Sequence, residues 1–379
     1  MTPLLVRLAA TACLLLPLGA SAQSGGFLTR LGNDTIAVER YERAGDVITG
    51  SILRRSPQAV LVRYTIRLNA DGTPASYEQS TTRADGAALP NAPAALKMTF
   101  RGDSVIREVV QNGQPVTLRA AAPRGTLPAI GLSWLAAQMQ VANARKGSAV
   151  HTIGFSPNQA APSPLEVRLI GTDSAEIVQQ GFRTGVRLDA KGLVVRGDGS
   201  LTTQKFIATP VANPDIAALG AAWAAAQPMG AASTRDTVNA TIGDAKIWID
   251  YGRPAKRGRE VWGKLVPYDT TWRFGANSAA QFRTDKDLDI GGVTVPAGFY
   301  SLWLYPSAGQ SYLIINSQTG QWGTMYDASK DVARIPLQKH MSLPAEAAEE
   351  RFRVFIAGDM LMMHWDRGGY GVKISSKGR

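Results

Sequence analysis

Cysteine is nearly absent from this sequence. Among 379 residues there is one cysteine, Cys13, and there are three histidines. Because Cys13 lies in the apolar leader described below, the rest of the chain has no thiol for a disulfide, a nucleophile or a Cys-based zinc or iron–sulfur site. His151, His340 and His364 are far apart in sequence, and no His-Glu-x-x-His motif occurs. We therefore predict no metal site and no cofactor.

Long hydrophobic runs are also absent after the first 22 residues. The chain begins with a short segment carrying Arg7, followed by the apolar run LAATACLLLPLG and then Ala20-Ser21-Ala22. This order is typical of a signal peptide with a small-x-small cleavage site, at residues 1–22. The run is too short for a permanent bilayer anchor, and Cys13 does not follow the cleavage site as in a lipoprotein. We expect a protein that is periplasmic or secreted and has no transmembrane anchor.

Three common catalytic or nucleotide-binding motifs are missing. The sequence has no Gly-x-Ser-x-Gly elbow, no Walker A loop and no Gly-x-Gly-x-x-Gly after a strand. The net charge of +11 favours acidic partners such as lipid headgroups or anionic glycans. However, the basic residues are scattered along the predicted strands, as on solvated sheet faces. Export and this scatter together exclude nucleic acid as the expected partner.

The first half shows the period of two that is typical of strands. In QAVLVRYTIRL, the even positions from Val60 to Leu68 are apolar, while Arg63, Thr65 and Arg67 alternate with them. One helix interrupts the strands, and we predict that it begins at Pro128 and ends at Gly147. The pattern predicts an antiparallel curved sheet wrapped on one helix, in a domain spanning residues 27–209.

A second helix marks the predicted boundary. Asn213 is a favourable N-cap, Pro214 suits the first helical position, and Pro228 and Gly230 end the apolar stretch IAALGAAWAAAQ. The small and polar residues that follow are typical of a linker. We assign residues 210–236 to helix and linker and residues 237–379 to a second domain.

The second half again reads as short strands. KIWIDY alternates Ile247, Ile249 and Tyr251 with polar or amphipathic neighbours, whereas FYSLWLY is apolar on both faces, as in an inner strand. Gly- and Pro-rich turns separate the strands. The pattern predicts a β-sandwich or jelly-roll-like domain, and the whole chain is predicted to be mainly β.

Several uncommon residues of this half recur in a fixed order. From Asp236 to Ile374 the sequence resembles a bacterial family known only as domain of unknown function number 2911. The matching features are Tyr251 to Pro254, Leu265 to Tyr268, Trp272-Arg273, Gly275 to Asn277, Pro296 to Gly298 with Tyr300, Asn316, Gln321 to Gly323, and Tyr326-Asp327. The resemblance implies an exported β-rich domain and no activity. Ala280 departs from the pattern, where Thr is expected. The N-terminal half resembles no family.

The basic and aromatic residues of this half are the candidate binding site. Arg presents a planar fork suited to carboxylate or phosphate, and tryptophan offers a stacking face. The alternative is structural: the aromatic residues fill the core and the arginines pair with nearby aspartates. The candidate ligand-binding residues are Tyr251, Arg253, Tyr268, Trp272, Arg273, Asn277, Asn316, Trp322, Tyr326 and Asp327.

Three functions follow as hypotheses. The first is a non-catalytic binding or envelope-associated protein for a lipid, a glycan or an anionic small molecule. The second is a hydrolase that uses carboxylate and tyrosine groups, with Asp250, Tyr268, Asp327 and Asp331 as candidates beside Arg253 or Arg273. The third is a protein-interaction scaffold. No catalytic residue is assigned.

Overall fold

The chain is mainly β and forms two large sheets, one in each half. The computed structural model describes residues 23–90, 95–111, 113–154, 161–179, 182–200, 205–341 and 343–377. Within these ranges the predicted fold class is confirmed. The predicted signal peptide, residues 1–22, lies outside them and stays a prediction.

The first sheet contains fifteen strands in the described ranges. They are β1 Gln23–Leu31, β2 Asp34–Ala44, β3 Val47–Arg54, β4 Val60–Leu68, β5 Pro74–Arg83, β6 Ala95–Arg101, β7 Ser104–Gln111, β8 Gln114–Ala121, β9 Leu127–Pro128, β10 Val150–Ile153, β11 Ser163–Ile170, β12 Ser174–Gln179, β13 Phe182–Leu188, β14 Val194–Asp198 and β15 Ile207–Pro210. Their order is β8 through β1, then β15 through β9. All pairs are antiparallel except β9 with β10, which is parallel.

The connection between the two edges shows that this sheet is strongly curled. Fourteen steps of about 4.8 Å would place β8 and β9 roughly 67 Å apart in a flat sheet. Residues 122–126 join the two strands and span at most about 22 Å. The sheet therefore curls toward itself, and its apolar residues form one core cluster together with the first helix.

The first helix, α1, runs over Trp134–Arg145, and Ser133 is its N-cap. The prediction that it begins at Pro128 was wrong, because Leu127 and Pro128 form β9 and the chain turns before Ser133. Trp134 is buried and donates from Nε1 to Thr29 Oγ1 of β1 at 3.0 Å. A Cβ on Gly197 would stand 2.0 Å from the Trp134 ring, so only glycine lets this ring pack against β14. The helix therefore covers the part of the sheet where β14, β15 and β1 are neighbours.

A buried carboxylate fixes the start of α1. Glu39 of β2 accepts hydrogen bonds from Tyr64 Oη (2.9 Å) and Ser133 Oγ (2.6 Å). It also accepts from the backbone N–H groups of Trp134 (2.6 Å) and Leu135 (3.3 Å). Helix N-termini favour a negative charge and have free N–H groups. Glu39 therefore joins two strands to the helix through four hydrogen bonds.

The second helix, α2, runs over Ile216–Ala225 and packs on the outer face of β2 and β3. Asp215 is its N-cap, through a hydrogen bond from the Ala218 N–H at 2.9 Å, so the predicted cap at Asn213 was wrong. The packing explains why Leu53 and Leu61 are buried although they lie on the polar face of the sheet. Among the residues that the structure describes, neither helix is long and apolar enough to cross a membrane.

The second sheet contains eleven strands in the part of the chain that is described. They are β16 Ser233–Ile242, β17 Ala245–Pro254, β18 Ala280–Thr284, β19 Leu288–Ile290, β20 Val293–Val295, β21 Gly298–Tyr305, β22 Ser311–Asn316, β23 Asp331–His340, β24 Glu349–Ala357, β25 Met360–Asp366 and β26 Gly368–Ser376. Strand β16 begins at Ser233, inside the segment predicted as linker.

The strands of the second half enclose one large apolar core. The main path is β16-β17-β18-β21-β22-β23-β26-β19-β20, and β25 pairs with both β26 and β24. Phe352 lies at the centre of the core, with its ring 5.1 Å from Trp272 and 5.8 Å from Tyr251. As predicted, FYSLWLY is an inner strand, because β21 pairs with β18 and β22 and its residues from Tyr300 to Leu304 are buried on both faces.

Candidate functional site

The basic loop, residues 253–264, contacts the first half of the chain. Arg257 Nη1 lies 2.5 Å from Asp34 Oδ2, at the turn between β1 and β2. The Asn33 N–H donates to the Arg257 carbonyl oxygen at 3.1 Å. Gly32 belongs to the same contact, because a Cβ there would stand 2.2 Å from that oxygen. Part of the positive charge of the basic loop therefore lies in contacts between the two sheets.

A cavity of about 340 Å³ lies beside this contact, and both halves of the chain line it. We call it the inter-sheet cavity. Its size is that of a small-ligand site. The first half, with the segment before β16, contributes Leu31, Ile36, Arg54, Ser56, Pro57, Leu132, Lys205, Ala231 and Ala232. The second half contributes Ser233, Pro254, Ala255, Arg259, Leu265, Trp272, Arg273, Gly275, Ala276, Asn277 and Trp365.

Four cationic side chains line the inter-sheet cavity: Arg54, Lys205, Arg259 and Arg273. All four are half-buried, and within the described ranges no Asp or Glu lines the cavity with them. Arg54 Nη2 donates to the Gly131 carbonyl oxygen at 2.7 Å. Carboxylates outside the lining offset part of this charge, since Asp198 acts on Lys205, and Glu350 and Asp34 act on Arg259. The lining itself has an excess of positive charge.

The pKa values of these four groups show that the cavity disfavours their charged forms. Burial lowers the pKa of Arg273 to about 10. Burial, and then the positive charge of Arg257, lower the pKa of Arg259 to about 10. The pKa of Lys205 is lowered by burial first and then by the charges of Arg273 and Arg259. Burial likewise lowers the pKa of Arg54. Each charged form is disfavoured, so an anion in the cavity would stabilise all four.

The lining also contains apolar and aromatic side chains. The rings of Trp272 and Trp365 stack with centroids 6.1 Å apart and an interplanar angle of 21°. Leu31 and Leu265 lie in the same lining. A molecule that fits this arrangement has an anionic group at one end and an apolar or ring-bearing part at the other.

Three of the ten sequence-predicted site residues meet at this cavity: Trp272, Arg273 and Asn277. Arg273 is held against Gly323, where a Cβ would stand 2.0 Å from Arg273 Cδ. Asn277 has a φ of 63°, and its carbonyl oxygen accepts from the Gly323 N–H at 2.9 Å. The tight turn at Gly323 therefore positions Arg273 in the cavity.

Tyr251 and Arg253 lie elsewhere, on a separate groove beside β16 and β24. Tyr251 is 1% exposed and belongs to the core, where its hydroxyl accepts from the Val354 N–H at 3.1 Å. Arg253 pairs with Asp236 at 3.0 Å. Both contacts agree with the alternative that the aromatic residues fill the core and the arginines pair with nearby aspartates.

Asn316, Tyr326 and Asp327 brace one turn around Asp331. Asn316 is fully buried and donates to the Asp327 carbonyl oxygen and to Asp331 Oδ1, both at 2.8 Å. Tyr326 donates to Asp331 Oδ2 at 2.5 Å. Asp327 caps the short 3₁₀ turn by accepting from Ser329, which lowers its pKa. These residues are not part of the cavity lining.

The last two predicted residues, Tyr268 and Trp322, also lie outside the cavity lining. The Tyr268 ring contacts Lys339 Nζ, which lies 5.3 Å from the ring centroid. Trp322 is half-buried and forms an antiparallel bridge with Ser278. The Trp322 carbonyl oxygen accepts from the Met325 N–H at 2.9 Å, inside the Gly323 turn.

The ten predicted residues do not include Arg54, Lys205 or Arg259. Arg54 ends a strand that also carries ordinary exposed residues, so its sequence context resembles that of many solvated arginines. Lys205 comes from the first half, and only the packing of the two sheets brings it to Arg273.

A larger and more open cavity of about 1090 Å³ lies against strands β2 to β8. Its lining carries charges of both signs, including the pair of Lys97 with Glu78 at 3.6 Å. Such a mixed surface selects neither anions nor cations. The inter-sheet cavity is therefore the better candidate site.

Comparison with known families agrees with the resemblance seen in the sequence. Residues 233–374 match the family described as "Protein of unknown function (DUF2911)". The C-terminal part of the chain is thus similar to this family over those residues. The N-terminal half has no family match, although it supplies Arg54 and Lys205 to the cavity. A comparison with curated proteins found no match.

Proposed function

We propose that this chain is a non-catalytic binding protein whose ligand is a small molecule with a carboxylate or phosphate group. The inter-sheet cavity carries the proposal, because four cations line it and no carboxylate in the described ranges lines it with them. Charge-assisted hydrogen bonds from Arg are the strongest that a protein makes to such groups. A bound anion offsets the cost of burying the cations.

The apolar side of the cavity narrows the ligand class. The Trp272–Trp365 stack and Leu31 favour a ligand with a short acyl or ring-bearing part. The volume of about 340 Å³ fits a headgroup, a monosaccharide acid or a short-chain amphiphile rather than a complete long-chain lipid. Residues 1–22 support the further proposal that the protein acts outside the cytoplasm.

The positions of the candidate catalytic carboxylates favour binding over hydrolysis. Asp250 forms a bidentate pair with Arg235, with a shortest distance of 2.6 Å. Asp327 caps a turn, and Asp331 accepts from Asn316 and Tyr326. Each carboxylate has a structural partner and lies outside the cavity lining.

Calorimetric titration with hexyl phosphate tests the proposal, with hexanol as the uncharged control. We expect saturable 1:1 binding of hexyl phosphate and at least about tenfold weaker binding of hexanol, since hydrogen bonds to charged groups contribute about 1.5–3 kcal/mol. The double variant Arg54→Gln/Arg273→Gln should lose the difference, whereas Arg30→Gln, at an exposed position of β1, should keep it. Equal binding of the two probes, unchanged binding by the double variant, or no saturable binding of hexyl phosphate contradicts the proposal.

A further inference from the structure

The outer face of β23, β25 and β26 carries histidine and methionine side chains around a strip of glycine. In the strand register, His340 is opposite Gly369 and Met362 is opposite Gly371. Met360 lies two residues before Met362 on β25, so both side chains point to the same face. Their neighbours Leu361 and Met363 point to the core and are buried. Because Gly369 and Gly371 have no side chains, a shallow depression lies between the flanking side chains.

Three of these side chains converge above Gly371. A Cβ on this glycine would stand 2.7 Å from Met362 Sδ, 3.2 Å from His340 Nε2 and 3.2 Å from Met360 Cε. Met362 Sδ and His340 Nε2 are thus within about 6 Å of each other, on two sides of one small space. Methionine is unbranched and has three rotatable bonds, so modest rotations bring both sulfurs and the nitrogen to a common centre.

The imidazole nitrogen in this space has no other use in the described structure. His340 Nε2 is buried and has no hydrogen-bond partner among the described residues. Its neighbours are thioethers, which have no proton to donate. A buried polar atom of this kind needs an explanation such as an unseen ion or water. His364 does not compete for the role, because its Nε2 donates to the Asp366 carbonyl oxygen at 2.9 Å.

We propose that His340, Met360 and Met362 form a binding site for a soft monovalent metal ion, Cu(I). Thioether sulfur and imidazole nitrogen are ligands that select Cu(I) over hard cations. Two cations on this part of the sheet are paired with carboxylates: Lys373, opposite Met360, with Asp359 at 3.2 Å, and Arg353 with Glu349 at 3.5 Å. The site is half-exposed, so an ion reaches it from solvent. This proposal differs from the expectation of no metal site, which did not consider methionine as a ligand.

Titration of the full chain, without a histidine tag, tests this proposal. Cys13→Ser in every sample removes the single thiol, and Ag(I) serves as a redox-stable probe beside Cu(I) held reduced with ascorbate. We expect one ion per chain and, for copper, an X-ray absorption spectrum with two sulfur ligands and one nitrogen ligand. The double variant Met360→Leu/Met362→Leu and the variant His340→Asn should each bind at least about 100-fold more weakly, beyond the loss typical of outer-shell changes.

A third variant separates metal binding from folding. Gly371→Ala places a methyl group where the ligands converge and keeps all three side chains, so it should also abolish binding while the apo protein melts near the wild-type temperature. Met325→Leu and His151→Asn, which change a methionine and a histidine elsewhere, are the controls. Wild-type protein that binds no stoichiometric Ag(I), variants that bind like wild type, or Zn(II) bound as tightly as Ag(I) would overturn the proposal.

Discussion

Replacing Glu39 by alanine should destabilise the first sheet more than any surface change. The Glu39 side chain is 1% exposed and accepts four hydrogen bonds that join β2, β4 and α1. Each buried donor left without an acceptor costs roughly 1–3 kcal/mol, but the two hydroxyl groups can rotate to other acceptors, so we expect about 3–5 kcal/mol in total. At about 2–4 °C per kcal/mol for a domain of this size, Tm falls by roughly 6–20 °C.

Calorimetry and urea unfolding followed by circular dichroism measure this effect. Glu42→Ala, at an exposed position of the same strand, is the matched control and should change the free energy of unfolding by less than about 0.5 kcal/mol. Tyr64→Phe removes one of the four donors and should cost about 1 kcal/mol. If Glu39→Ala unfolds within error of Glu42→Ala, then the carboxylate does not hold the helix as described.

Three further predictions concern pH, the contact between the sheets and the cavity. Burial raises the pKa of Glu39 above its ordinary value of 4.5. Between the unfolded and folded pKa values the folded chain holds a proton that the unfolded chain releases, so the stability of wild type relative to Glu39→Gln should fall as pH rises above about 4.5. A constant difference in stability from pH 4 to 8 refutes this. Asp34→Asn and Arg257→Gln should show a coupling of about 1–3 kcal/mol in a double-mutant cycle of unfolding, whereas purely additive effects would remove this ion pair from the contact. Arg273→Gln should raise the pKa of Lys205, seen in Nζ titration by NMR, and an unchanged pKa would mean that the two cations do not share the cavity.

Much of the fold could be predicted from alternation alone, because each strand has one face on a core. Val62, Tyr64 and Ile66 are buried as their spacing indicates. Leu53 and Leu61 show the limit, since they are buried on the polar face by α2, a contact between distant segments. The helix starts were misplaced because a proline or asparagine near a boundary fits several positions, and only the hydrogen bonds made by Ser133 and Asp215 identify the caps.

The candidate site was less predictable than the fold. Rare aromatic and basic residues did indicate Trp272 and Arg273, but the same composition describes Tyr251, which packs in the core. The sequence does not show which cationic side chains line the same cavity. Arg54 and Lys205 therefore could not be distinguished from solvated residues. In the sequence the methionines of β25 alternate with His364, whereas the histidine that they approach, His340, comes from a strand that precedes them by about twenty residues.

Soaking with iodide shows directly whether the inter-sheet cavity attracts anions. Crystals of the full chain soaked in sodium iodide should show a strong anomalous peak inside the cavity, within contact distance of Arg273 and Lys205. Arg54→Gln/Arg273→Gln crystals should lose this peak and keep those on the outer surface. A cavity that contains only water in the wild-type crystal, while iodide occupies other basic surfaces, would show that the inter-sheet cavity does not attract anions.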